Sequence, residues 1–270
     1  MKEFALRNLT ALVLIILAYA WIRYTSVVGF SVVLFLIIAA AAVEWIRLCR
    51  PLMHHYAVTG AAALLVACSF TFNIPEITDT LSILVFLFGL YFLLRVRKPE
   101  ELGSFVRDFA IHAAVVIYLF IPLYHLLRLK QMDANYLFFL FAVIAIGDSF
   151  AYFIGSLWSR FGRRIAIYPV ASPKKSLQGL IAAVLFAGLS AVPVLAIFPL
   201  PVDRITAVWS AALLGLISQL SDPVESLFKR AAGSKDSGSI LPGHGGVLDR
   251  VDSYVFCAPA LYALVRFVWV

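Results

Sequence analysis

Charge is what this chain has least of. Asp, Glu, Lys and Arg make up 14% of its 270 residues and 63% are hydrophobic, whereas about a quarter of an ordinary soluble domain is charged. So little polar surface cannot cover one large core, which excludes a soluble globular domain of this size. Cysteine is scarce as well. Cys49, Cys68 and Cys257 are odd in number, lie in or beside apolar segments and lack metal-ligand spacing. That excludes a disulfide framework and a zinc site, and leaves them as small core residues. Regular apolar/polar alternation is missing too, which excludes a transmembrane barrel. There is no internal repeat and no low-complexity linker.

What is there is a series of apolar blocks of roughly 14 to 20 residues, near the length that crosses a bilayer core. The expected fold class is all-α, a polytopic integral membrane protein of about nine transmembrane helices. They are placed at roughly 6–22, 27–43, 56–72, 81–94, 109–127, 136–157, 180–198, 205–220 and 253–269. Proline and polar residues separate most of them, as at Asn73-Ile-Pro75, Lys98-Pro99 and Pro199-Leu-Pro201. The start, Met1-Lys-Glu-Phe-Ala-Leu-Arg7, is read as leading into a retained first span, because no small-residue cleavage site follows its apolar run.

The few charges are ordered. With the N-terminus placed in the cytoplasm, seventeen of the 22 Lys and Arg fall in inside segments. The outside loops hold four, Arg23, Arg128, Lys130 and Arg204. This is the positive-inside pattern, and it puts the chain in the cell (inner) membrane with its polar loops on the cytoplasmic side. The net charge of +7 follows that topology and forms no separate soluble patch. Anionic lipid head groups and a nucleotide are therefore the expected partners, and nucleic acid is not.

The polar residues concentrate in one run of 27 residues, Ser226 to Asp252, which holds Lys229, Arg230, Lys235, Asp236, His244, Asp249, Arg250 and Asp252 among several glycines. Charge at a membrane face is costly unless it works on something. Carboxylates for a cation, cations for phosphate oxygens and glycines for close backbone approach suit a metal-bound phosphate. Asp222 and Glu225 are three apart, as are Asp249 and Asp252, so each helical pair shares a face. Mg²⁺ takes one or two protein carboxylates, with water and phosphate completing its shell. Asp222 and Asp249 are the first candidates, Asp252 and Asp148 the next. Structural salt bridging is the competing reading for this group, and hydrogen-bonded helix packing is the competing reading for Asp148. Lys229, Arg230 and Lys235 suit phosphate. Lys174 and Lys175 follow Ser172-Pro173, taken as a turn before a helix start, with Ser172 or Ser176 as its cap. His244 sits in the glycine-rich loop as a phosphate ligand or a proton donor to a leaving pyrophosphate. His54, His55, His112 and His125 have no such neighbours.

The run resembles the signature of the phosphatidate cytidylyltransferase (CDP-diacylglycerol synthase) family. The matching positions are Ser226, Lys229-Arg230, Lys235-Asp236, Pro242-Gly-His-Gly-Gly246, Asp249-Arg250 and Asp252. Gly147-Asp-Ser-Phe-Ala-Tyr-Phe-Ile-Gly155 and Ser172-Pro-Lys-Lys-Ser176 also look like family segments, so the resemblance spans roughly residues 140 to 260. Two positions depart from the family pattern. Ser221 precedes Asp222 where glycine is usual, and Gln178 stands where glutamate is usual.

The resemblance implies transfer of a cytidylyl group from CTP to phosphatidate, with Mg²⁺ as the cofactor, a second cation left open, and a homodimer as the assembly. It implies catalytic roles for Asp222, Asp249, Lys229, Arg230 and His244. It implies substrate contacts for Ser172, Lys174, Lys175, Ser226, Lys235, Asp236 and Arg250. Residues 1–128 would form an N-terminal set of transmembrane helices and residues 129–270 the catalytic region. Three other readings stay open: a cytidylyltransferase for another lipid phosphate, an inactive relative that binds CTP, and an anion transporter. Two related halves with broken helices would favour the transporter.

Overall fold

The computed structural model describes residues 13, 15–49, 90, 93, 102–161, 165–238 and 245–269. The span expected at 56–72, most of that at 81–94, the start of the first span, Cys68, His54, His55 and His244 lie outside the described residues.

The described chain is helical almost throughout. A short apolar helix α1 (Ile15–Tyr24) leads into α2 (Val27–Cys49). Later come α3 (Leu102–Val115) and α4 (Ile121–Met132), joined without a break by a π-helical turn at Val116–Phe120. Then follow α5 (Ala134–Phe161), the strands β1 (Ala166–Tyr168) and β2 (Ser172–Ser176), α6 (Leu177–Ile197), α7 (Arg204–Ala231) and α8 (Leu248–Phe267).

Among the described residues five stretches are long and apolar enough to cross a membrane: Val27–Cys49, Val106–Met132, Ala134–Arg160, Leu177–Ile197 and Arg204–Ala231. The chain is therefore a mostly helical, multi-pass membrane protein. Helix α8, the expected last span, falls short of that composition. It carries Asp249, Arg250 and Asp252 near its start and Arg266 near its end.

Four expectations change. The fold is not purely α, because β1 and β2 form a small antiparallel hairpin pairing Ala166 with Ser176 and Tyr168 with Ser172. Ser172-Pro-Lys-Lys-Ser176 is accordingly a strand rather than a turn. Of the two proposed caps it is Ser176 that starts α6, accepting a hydrogen bond from Gly179 N at 3.2 Å. The eighth span, expected to end at residue 220, continues as helix to Ala231. The second, expected to end at residue 43, runs on to Cys49.

Helices α5, α6 and α7 pack through small residues. A methyl group on Gly215 would stand 2.6 Å from Ala187 Cβ and 2.9 Å from Ala183 O, so glycine is what allows α6 and α7 to approach. α7 packs on α8, which in turn meets α4 and α2. The core runs through this bundle from Phe30, Trp45 and Phe120 to Phe139, Leu214 and Leu261. The arrangement brings the start of α6, the last turns of α7, the start of α8 and the end of α2 to one end of the bundle.

Candidate active site

Helix α7 supplies most of the polar groups. It runs past residue 220 with Pro223 inside it. Proline has no N–H, so the carbonyl four residues earlier, that of Gln219, loses its helical partner. Lys175 Nζ donates to that carbonyl at 3.3 Å and to Asp222 Oδ2 at 2.9 Å. The ammonium from β2 thus replaces the missing amide and neutralises the adjacent carboxylate. Ser253 of α8 donates to Asp222 Oδ1 at 2.7 Å. Ser221 is fully buried, and its hydroxyl donates to the Asp252 carbonyl. The serine found where the family pattern has glycine therefore ties α7 to α8.

A second lysine–carboxylate pair lies deeper. Lys229 Nζ donates to Asp249 Oδ1 at 2.6 Å and forms an ion pair with Glu225, which is 0% exposed. The other oxygen of Asp249 accepts from Gly246 N at 2.8 Å, Ser237 Oγ at 2.9 Å and Ser237 N at 3.1 Å. Asp249 precedes the apolar stretch of α8. Burial by itself would push its carboxyl up, but Lys229 and the two amides outweigh that and hold it below the usual carboxylate range. Gly245 sits at φ +78°, a left-handed conformation that favours glycine.

Asp148 faces this group from α5. Its Oδ1 accepts from Ser218 Oγ at 2.8 Å and Gln219 Nε2 at 2.6 Å, and Asp222 and Lys175 are within electrostatic reach. The hydrogen bonds match the helix-packing reading, and the proximity to Asp222 places it at the rim of the same cluster. Asp252 is buried one helical turn beyond Asp249, within reach of Asp222 and Glu225.

The structure thus separates the sequence candidates. Asp148, Lys175, Asp222, Lys229, Asp249 and Asp252 come together. Lys174, Arg230, Lys235, Asp236 and Arg250 are exposed around them, and Arg230 donates to the Ser234 carbonyl at 3.2 Å. Ser172 and Ser226 are half-buried. Gln178 lies in the first turn of α6, two residues after its cap. His112 and His125 bond backbone carbonyls of their own helices. Cys257 is a buried packing residue, as expected, whereas Cys49 is exposed at the end of α2.

Sequence reasoning missed Glu44, Ser237 and Ser253. Glu44 carried a signal, being the acidic residue of the apolar run 27–49. Tyr118 was missed as well. It sits on the π-helical turn against Trp45 and Phe228, with a buried hydroxyl that makes no hydrogen bond among the described residues. Glu225, Asp252 and Asp222 are within its electrostatic reach.

All the acidic groups here offer hard oxygen ligands, which suits Mg²⁺. Among the described residues no three His, Cys, Asp or Glu side chains converge on one point. Mg²⁺ does not need three, since water and phosphate complete its shell. Glu225 Oε1 is buried without a hydrogen-bond partner among the described residues, an acceptor left over beside Asp222 and Asp249.

Fold and site together define a multi-pass helical membrane protein with a lysine–carboxylate cluster at one end of its bundle. The chain matches the model of the cytidylyltransferase family over residues 5–268, and it belongs to that family. Among named relatives, the phosphatidate cytidylyltransferase of Bacillus subtilis is 37% identical over 166 residues, 62% of this chain and 59% of that protein. That of Staphylococcus saprophyticus is 32% identical over 225 residues, 72% of this chain and 80% of that protein. That of Staphylococcus aureus strain COL is 39% identical over 140 residues, about half of each chain.

Proposed function

We propose that this protein transfers the cytidylyl group of CTP to phosphatidate, forming CDP-diacylglycerol and pyrophosphate. The observation that carries the reading is the pair of lysine–carboxylate contacts, Lys175 with Asp222 and Lys229 with Asp249, held where α6, α7 and α8 meet. The nucleophile is a lipid phosphate oxygen. It is already anionic and needs no strong base. It attacks the α-phosphorus of CTP, and the bond from that phosphorus to the bridging oxygen breaks as pyrophosphate departs. The difficulty is repulsion between two anions, which fixed cations relieve.

Asp222 and Asp249 are the proposed Mg²⁺ ligands, with Asp252 and Asp148 next. When bound, the metal supplies charge neutralisation at the phosphates. Lys175 and Lys229 then exchange a carboxylate partner for phosphate oxygens. Arg230, Lys235 and Arg250 on the exposed side meet the incoming triphosphate, and the acyl chains enter sideways between helices. The same reading takes nine spans with the site on the cytoplasmic face, residues 129–270 as the catalytic region, and a homodimer.

The test is turnover of purified protein with CTP and phosphatidate, with and without Mg²⁺. Wild type is expected to release pyrophosphate only with the metal. Asp222→Asn, at a half-exposed position, is expected to stay folded and lose more than the roughly 10–100-fold typical of changes outside a metal's ligand sphere. An inert wild type that turns over a different lipid phosphate would transfer the assignment to that lipid. Normal activity of Asp222→Asn would remove it from the site.

A further inference from the structure

Glu44 belongs to a helix that none of the assigned site residues occupy. It is 1% exposed, near the end of α2, and 193 residues away in sequence from Ser237, whose hydroxyl it accepts at 2.9 Å. It also accepts from Val247 N at 3.0 Å and Leu248 N at 2.8 Å. Val247 is the N-cap of α8 and provides no side-chain cap of its own. A carboxylate from another helix therefore takes the free amides at the positive end of α8.

The next residue along is Asp249, and the link between the two acids is direct. Ser237 Oγ stands 2.9 Å from Glu44 Oε2 and 2.9 Å from Asp249 Oδ2. One hydroxyl has one hydrogen to give, so the two carboxylates share a single donor. The loop is also moulded on Glu44. A methyl group on Gly238 would stand 2.5 Å from Glu44 Oε1, and one on Gly246 would overlap both Glu44 Oε2 and Ser237 Oγ. An apolar side chain would brace α2 against α8 without the cost of burying a charge. The carboxylate acts through its acceptors, and all three donors lie in the segment that presents Asp249.

We propose that Glu44 is a positioning residue of the transfer reaction: through Ser237 and the first turn of α8 it sets the direction in which Asp249 presents its carboxylate. The role assigned to Asp249 rests on the function proposed above.

Purified full-length Glu44→Gln, Ser237→Ala and the double variant test this in two ways. In steady-state turnover of CTP with phosphatidate, corrected for folded protein, Glu44→Gln is expected to lower kcat by about 10–100-fold with KM for both substrates little changed. Ser237→Ala should lower kcat several-fold. The double variant should fall no further than Glu44→Gln, because both changes cut one link. Wild-type kcat in Glu44→Gln, or losses that simply multiply in the double variant, would overturn the proposal. Where Glu44→Gln fails to fold, Ser237→Ala decides, and wild-type kcat there overturns it. The second readout is amide hydrogen exchange over residues 245–249 without substrate. The Gly246 amide is held by Asp249 and not by Glu44, so its faster exchange in Glu44→Gln or Ser237→Ala marks a displaced Asp249. Unchanged exchange in both overturns the proposal. Exchange is read even if wild type proves inert with phosphatidate, which keeps failure of the substrate assignment apart from failure of the positioning role.

Discussion

Lys229 serves two buried carboxylates, Glu225 and Asp249, whereas Lys175 serves Asp222 in a pair whose side chains are 18% and 28% exposed. Removing one partner of a buried ion pair strands the other charge, at a cost of about 3–5 kcal/mol. A partly solvated pair is worth about 1 kcal/mol or less. Lys229→Met should therefore destabilise the detergent-solubilised protein several times more than Lys175→Met, measured by denaturant or thermal unfolding. The opposite order would contradict the charge network described here. Residue types were readable in advance: the scarcity of charge made each carboxylate and lysine in the run 226–252 conspicuous. Their pairing was not. Asp222 lies against Lys175 and Asp249 against Lys229, and spacing along a chain says nothing about which strand or helix will supply the counter-charge.

Helix α7 shows why the lengths of elements were harder to read than their existence. Ser221-Asp222-Pro223 follows directly on the expected end of the eighth span at residue 220. The helix continues through Pro223, as α6 and α8 continue through Pro193 and Pro259, and a cation from β2 occupies the carbonyl that Pro223 leaves open, a contact no local pattern reveals. The other end of α7 is local and legible. Asp203 caps it, accepting from Ile205 N at 2.9 Å and Thr206 N at 3.0 Å. Hydrogen bonds from Thr206 and Ile205 hold its carboxyl below the usual carboxylate range. A depressed folded value means that the stabilisation is fully present above the ordinary aspartate range and is lost as pH falls through the folded value. Asp203→Asn keeps a capping acceptor but does not titrate. The margin of wild type over Asp203→Asn in thermal midpoint should thus shrink toward zero as pH is lowered from 7 to 3. A margin independent of pH would mean that the charge of Asp203 plays no part in the cap.

At the scale of the whole molecule, the distribution of Lys and Arg predicts a cytoplasmic N-terminus and, with nine spans, a C-terminus across the membrane. Reporter fusions at Val270 and within residues 231–240 should report opposite sides, and the same side for both would refute nine spans. The helical, membrane-embedded character and the family were legible because apolar block length and the signature are local properties. The contribution of the first half to the site was not. Glu44 stands on α2, within the proposed N-terminal set, and its partners all lie beyond residue 236. No spacing rule connects positions so far apart. The lysine–carboxylate pairs also carry a kinetic consequence. The cluster sets five carboxylates, Asp148, Asp222, Glu225, Asp249 and Asp252, against the two lysines Lys175 and Lys229, so by itself it does not steer a triphosphate approaching from a distance. Long-range attraction falls to the exposed cations at the rim, Lys174, Arg230, Lys235 and Arg250. In the proposed reaction the inner lysines act at contact, each trading a carboxylate for a phosphate oxygen.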